Sequence, residues 1–314
     1  MEDYELRATR RAYGDALVDI GGDEKIVVLS ADLTNSTCTH AFSELFPRRF
    51  FQCGVAEQNM VGMAVGLALS GKIPFVSTFS AFIPNRALDQ IRVSVCYNKA
   101  NVKLASTHAG LTVGEDGATH QALEDIAIMR ALPNMTVIVP CDFEETKKAV
   151  KQAASFKGPV YIRLGRSKLP VFTKSHTPFH IGKAELFWKG KDATVIACGI
   201  MVYQALLAAE ELSKEGINID VLNCHTIKPL DEHKILHSVK KTGCVVTAEE
   251  HQINGGLGGA IAELLSEHHP VPLKRIGVED SFGESGKADE LMKKYGLTAH
   301  DIVKAVKKVI KKKF

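Results

Sequence analysis

Short runs rich in β-branched residues alternate with helix-patterned segments along almost the whole chain, and this alternation limits the fold more than any other feature. Strand candidates at 25–29, 74–78, 102–106, 136–139 and 160–164 are separated by helical patterns at 8–20, 57–70, 87–97, 124–131 and 144–155. Such a series builds a parallel sheet covered on both faces, because consecutive parallel strands need a crossover and a helix usually supplies it. The pattern lapses near residue 167 into Pro, His, Thr and Lys, then resumes with strands at 193–198, 219–222, 245–248 and 273–277. Helical patterns at 203–214, 232–240, 259–267 and 299–310 accompany them. The expected fold is α/β, with two doubly wound domains over 1–167 and 192–314 joined by a surface linker over 168–191. Two domains is also what 314 residues predict, since single cores usually split near this size.

Charge and cysteine usage narrow the function classes. The 39 Lys+Arg against 36 Asp+Glu leave a net +3, and the one basic run, Lys311–Lys313, is terminal. No nucleic-acid partner is expected from that balance. Seven cysteines lie far apart with no C-x-x-C pair, which predicts reduced thiols in a cytoplasmic protein rather than a disulfide scaffold or zinc site. The acidic start Met1–Glu5 and the lack of any run of about 18 apolar residues predict neither a secretory leader nor a membrane span.

Three segments carry candidate chemistry. Gly54-Val55-Ala56-Glu57-Gln58-Asn59-Met60 opens a helix whose apolar stripe is Met60, Met63, Ala64, Leu67 and Ala68, and Glu57 falls on that stripe. Burial penalises a carboxylate and should raise its pKa unless a partner compensates. Glu57 is thus either a functional acid or a helix N-terminal carboxylate favoured by the dipole. Ser77-Thr78-Phe79-Ser80-Ala81-Phe82 ends a strand, where its aromatics are either core or a clamp for a flat heterocycle. Ser106 to Gln121 follows another strand and carries His108, Glu115, Asp116 and His120 on a loop with three glycines, a polar ligand site rather than a packing feature. Asn254 to Gly259 is read as close helix packing before an anion site, and His233 with His237 as a solvated face before a metal pair.

Gly54–Gln58, the Phe79/Phe82 pair, His108 and Gly114-Glu115-Asp116-Gly117-Ala118-Thr119-His120-Gln121 together resemble the pyrimidine-binding domain of transketolases, thiamine-diphosphate enzymes. Ala8-Thr9-Arg10 and Ser30-Ala31-Asp32-Leu33-Thr34-Asn35-Ser36 extend the resemblance, which covers nearly the whole chain and corresponds to the C-terminal half of a full-length transketolase. It implies a pyrimidine-binding domain followed by a transketolase C-terminal domain. It also implies transfer of a two-carbon ketol unit from a ketose phosphate to an aldose phosphate, as in the pentose phosphate pathway.

The resemblance carries roles for individual residues. Glu57 would hydrogen-bond the pyrimidine ring and promote its imino form, and Phe79 and Phe82 would pack around that ring. Asp116 would recognise a substrate hydroxyl, and His108 and His120 would line the substrate channel, with His120 also catalytic. Arg10, Ser36, His108 and Arg166 would hold the sugar phosphate, a use that suits the bidentate guanidinium fork. Without the resemblance, Arg10 and Arg166 would read as surface ion-pair members.

Two departures stand out: Ala109 and Gly110 replace Asp and Ser of many transketolases, and Asn85 stands where an aromatic is common. The chain also has no Gly-Asp-Gly, the family motif that binds the diphosphate and its divalent cation. The expectation is one subunit of a split transketolase, with no metal ligands of its own. A separate N-terminal subunit would grip the diphosphate and Mg2+ or another divalent cation, and the pair would assemble further into a heterotetramer. The alternatives are a 2-oxoacid dehydrogenase β subunit, a deoxyxylulose-phosphate synthase-like subunit, or a non-catalytic partner.

Overall fold

The structure is a computed structural model that describes residues 4–313. The acidic residues Met1–Asp3 and the terminal Phe314 lie outside the described residues. Among the described residues fourteen strands run in chain order: β1 (Leu6–Ala8), β2 (Ile26–Ser30), β3 (Phe50–Gln52), β4 (Ile73–Phe79), β5 (Lys103–Thr107), β6 (Thr136–Ile138), β7 (Val160–Arg163), β8 (Lys168–Pro170), β9 (Glu185–Trp188), β10 (Ala193–Ala197), β11 (Ile219–Asn223), β12 (Thr226–Lys228), β13 (Val245–Gln252) and β14 (Leu273–Val278). They form a seven-stranded sheet in the order β12-β6-β7-β5-β4-β2-β3 and a five-stranded sheet in the order β14-β13-β10-β11-β9, with β1 and β8 pairing separately. Both larger sheets are parallel except at one edge strand each, β12 and β9.

The strand sequences show why the first sheet is covered on both faces. All five residues of β2 are buried, and they alternate between cores: Val27 and Leu29 enter one cluster, Ile26 and Val28 the other. A strand buried on both sides reads as a nearly continuous apolar run, as Ile26–Leu29 does before Ser30. Each such side chain contributes about 1.5–3 kcal/mol on leaving water. On one face lie the helices Thr9–Ile20 and Phe143–Ser155, with Tyr13, Leu17, Ala149 and Val150 in the core. The opposite face carries Glu57–Leu69 and Asp125–Ala131, and its cluster runs on into Ile196, Leu222 and Leu257 of the second half. The two halves thus share this cluster, while most of the second half's other apolar residues form a core of their own.

Three features differ from the sequence expectation. The segment 168–191 is not all loop: β8 pairs with β1, β9 edges the second sheet, and the Asp142 carboxylate fixes the stretch between them by accepting from Phe172 N (3.0 Å) and Thr173 N (2.6 Å). The helix expected over 87–97 begins earlier, at Ile83–Arg86, and winds as a π-helix over Ile91–Tyr97, a form often found beside functional sites. Strand β12 leaves its own half to pair antiparallel with β6 of the first sheet.

Candidate active site

In open parallel sheets, ligand-facing loops leave the carboxyl ends of the strands. Strands β2, β4, β5 and β7 are parallel neighbours or next-neighbours, so the loops after Ser30, Phe79, Thr107 and Arg163 emerge along one edge. Three non-glycine residues there, Asp32 (φ 60), Cys38 (φ 60) and His108 (φ 59), adopt the left-handed region. That conformation costs about 1–2 kcal/mol per residue and persists only where the surroundings impose it.

Five of the candidate residues form a continuous ladder with one residue the sequence reading did not single out. The His108 ring stacks on Phe79 at 3.8 Å between centroids, and Phe79 stacks on Phe82 at 5.4 Å. His120 meets Phe82 edge-on at 5.4 Å and Phe79 at 6.2 Å. Over the Phe82 ring, 3.9 Å from its centre, lies the Arg86 guanidinium, whose Nη1 donates to Glu57 Oε1 at 2.8 Å. Glu57 itself is 3% exposed at the first turn of its helix. The compensating partner that a buried carboxylate needs is therefore Arg86. Only its contact with Phe82 is local, since an arginine four residues after that ring lies one helical turn away.

The cationic residues gather beside His108. Burial, reinforced by the charges of Arg10, Arg166 and His120, pushes the His108 imidazole down to about 3, so it is neutral near pH 7. Its Nδ1 lies 2.8 Å from Thr107 Oγ1. Arg10 donates to the Ser36 carbonyl at 3.0 Å, which brings these two together. Arg166 is held by the Val113 carbonyl and by Glu115 Oε2 at 3.1 Å. Two arginines and two imidazoles on one rim make a site for an anionic, hydroxyl-bearing ligand. Asp116 stands apart, exposed at the end of the turn Leu111–Asp116 and without a side-chain partner among the described residues.

The second half closes the back of the site. Glu250 Oε1 accepts from Thr112 N, and Arg163 donates to the Glu250 carbonyl at 2.9 Å and to Asp125 Oδ2 at 2.8 Å. The Gly110 departure follows from this packing: at φ 83, a Cβ there would lie 2.3 Å from the Glu250 carboxyl carbon. The Asn254–Gly259 segment is a helix N-terminus already capped by the chain's own anion, because Glu249 accepts from Leu257 N (2.7 Å) and Gly258 N (2.8 Å). His233 and His237 are both exposed. Among the described residues no group of three or more His, Cys, Asp or Glu side chains could hold a metal ion, and no helix is long and apolar enough to cross a membrane. All seven cysteines are free.

The neutral histidine gives a pH signature. The folded-state value of His108 lies below the unfolded one, as does that of buried His225, also pushed down to about 3. The unfolded chain therefore binds protons that the folded chain refuses, and stability present above pH 6.5 falls as pH drops toward 3. Each histidine adds a slope of up to about 1.4 kcal/mol per pH unit. Glu145, pushed up to about 7 by burial, works with the opposite sign between 4.5 and 7, so the informative quantity is a difference between proteins. Denaturant unfolding of His108→Gln between pH 6.5 and 4.5 should show a shallower acid loss than the wild type. Parallel curves would mean that His108 is not held neutral.

Two α/β halves whose ladder of carboxylate, guanidinium, phenyl and imidazole groups lies along a sheet's carboxyl edge define the class of this protein. Residues 6–171 match the family model of the transketolase pyrimidine-binding domain, and residues 182–302 that of the transketolase C-terminal domain. The chain belongs to the transketolase family. It is 49% identical over 310 residues to a Methanocaldococcus jannaschii protein provisionally described as a transketolase C-terminal section, covering 98% of this chain and 97% of that one. A 6-deoxy-6-sulfo-D-fructose transketolase subunit of Clostridium sp. is 47% identical over 314 residues, with 100% and 97% covered. A solved structure described as a split gene transketolase, inactive beta4 tetramer, superposes with a TM-score of 0.92 at 52% identity, covering 98% of this chain and 99% of that one.

Proposed function

We propose that this chain is the C-terminal, pyrimidine-binding subunit of a split transketolase, which moves a two-carbon ketol unit between sugar phosphates only when paired with a diphosphate-binding subunit. The observation that carries the reading is the ladder from Glu57 through Phe82 and Phe79 to the two histidines, continued by Arg10, Ser36 and Arg166. A buried carboxylate beside aromatic rings suits the aminopyrimidine head of thiamine diphosphate, which when bound supplies the nucleophilic carbon for breaking and making a carbon–carbon bond. Glu57 holds a ring-nitrogen proton in a dry site, where its interaction is strong. Phe79 and Phe82 exclude water and fix the ring plane. His108, held neutral, and His120 exchange hydrogen bonds with sugar hydroxyls, Asp116 caps one of them, and Arg10 and Arg166 pair with the phosphate oxygens.

The assembly belongs to the same reading. The diphosphate and its divalent cation, Mg2+ among them, are assigned to the N-terminal subunit, and two such pairs form a heterotetramer in the cytoplasm. The helix Glu57–Leu69 supports a covering polypeptide next to the site. From Met60 on its sequence carries no polar residue, yet Met63 and Leu69 are 38% and 75% exposed, Val55 just before it is 72% exposed, and open space surrounds Gly62 and Gly66. The division into 1–167, 168–191 and 192–314 completes the proposal.

Reconstitution tests it. The isolated chain, given thiamine diphosphate and Mg2+, should transfer no ketol unit. Addition of the diphosphate-binding subunit should restore transfer from xylulose 5-phosphate, fructose 6-phosphate or a 6-sulfo or apulose analogue. Full activity of the chain alone would refute the split, and turnover of pyruvate or branched 2-oxoacids in their place would refute the transketolase assignment.

A further inference from the structure

We propose that Arg86 is a built-in plug: in the free subunit its guanidinium occupies the place of the aminopyrimidine ring, and ligand entry requires it to swing out. This rests on the reading of Glu57 and the phenylalanines given above. The guanidinium makes both contacts that reading assigns to the ring, stacking 3.9 Å above the centre of Phe82 and donating to Glu57 Oε1 at 2.8 Å. Chemically it is a fitting substitute, because a guanidinium and an aminopyrimidine are both planar nitrogen–carbon–nitrogen arrays that donate in-plane and stack through their faces. The two cannot stand over Phe82 and against Glu57 together.

The plug explains how the empty subunit tolerates Glu57. A carboxylate 3% exposed needs a partner, and removing that partner leaves a buried charge uncompensated. Arg86 supplies the countercharge while 46% of its side chain remains exposed, so it can return to water with little desolvation to undo. Its backbone stays anchored when the side chain moves, since Gln58 Nε2 donates to the Arg86 carbonyl at 2.9 Å and Pro84 sits in the same short helix Ile83–Arg86.

The plug competes with the heterocycle alone, so it is best read with a ligand that lacks the phosphate end. The experiment measures binding of neutral 4-amino-5-hydroxymethyl-2-methylpyrimidine, and of thiamine diphosphate with Mg2+, to the assembled two-subunit enzyme by calorimetry. Arg86→Ala should bind the pyrimidine about five- to thirty-fold tighter than the wild type, the factor expected from losing one half-exposed ion pair and one cation–π contact. Arg86→Gln, which keeps the stem, should give a smaller gain and serves if the alanine variant folds poorly. In a Glu57→Gln background the Arg86→Ala gain should shrink to the share that the cation–π contact with Phe82 contributes. Unchanged or weaker pyrimidine binding in both Arg86 variants overturns the plug. Wild-type enzyme that does not bind thiamine diphosphate, or binds it equally well with Glu57→Gln, overturns the reading on which the plug rests.

Discussion

Glu57→Gln in the assembled enzyme should lower kcat about 10²- to 10⁴-fold, the span measured for removal of a positioned acid or base. Glutamine keeps the shape and a carbonyl acceptor but can no longer hold or release the ring proton, so the loss should appear in kcat rather than in sugar KM. The fold should be little affected, because Arg86, the partner left behind, is half in water. The competing account makes Glu57 a helix N-terminal carboxylate, worth about 0.3–1 kcal/mol through the dipole. That account predicts at most about a fivefold change. Steady-state kinetics of the reconstituted pair separates the two. A loss below fivefold would leave this chain as a scaffold for another subunit's chemistry.

Much of the layout of this candidate site is legible in the sequence. Glu57 was visible because a charge on the apolar stripe of a helix is locally anomalous. Phe79, His108 and Arg166 were placed by the rule that functional loops follow parallel strands, together with the family resemblance. Arg86 was not visible in the same way: its ion-pair partner lies 29 residues earlier, and nothing in the window around 86 marks that closure. The same limit hid strand β12. Thr226–Lys228 is three residues long and followed by a proline, and it becomes a strand only because the distant β6 offers an open edge. The π-helical turn at 91–97 is likewise a tertiary outcome, since its apolar spacing fits an ordinary helix equally well.

The Gly110 departure shows the same dependence. From sequence it raises a question of substrate preference, whereas the structure shows a backbone pressed against Glu250 from the other half. Substrate preference is better sought in residues that face the rim, such as Asn85, whose side chain is committed to the Ala81 carbonyl (3.0 Å) and Glu124 Oε1 (3.3 Å). It puts an amide next to the aromatic ladder.

The largest stability effect should come from Arg163. Its side chain is 6% exposed and lies between two acids: Nε donates to Asp125 Oδ2 at 2.8 Å, and the Glu250 carboxylate is buried nearby and raised by that burial, with Arg163 as the main opposing charge. Tyr161 donates to the same Asp125 oxygen at 2.7 Å. Arg163→Met keeps the volume but strands both carboxylates, and breaking a buried pair in this one-sided way costs about 3–5 kcal/mol. Against a total of about 5–15 kcal/mol that is a large fraction. Arg163 Nη2 also holds the Ala122 carbonyl, which in turn accepts from Gly110 N, so the loop after His108 loses its clamp along with the charge. Adding Asp125→Leu to Arg163→Met should recover part of the loss, because the unpaired acid is then gone and the site can pack as an apolar one. Denaturant unfolding of the single and double variants tests this: a single-variant cost under about 1 kcal/mol, or a double variant weaker than the single, would show that the network does not hold the two halves together.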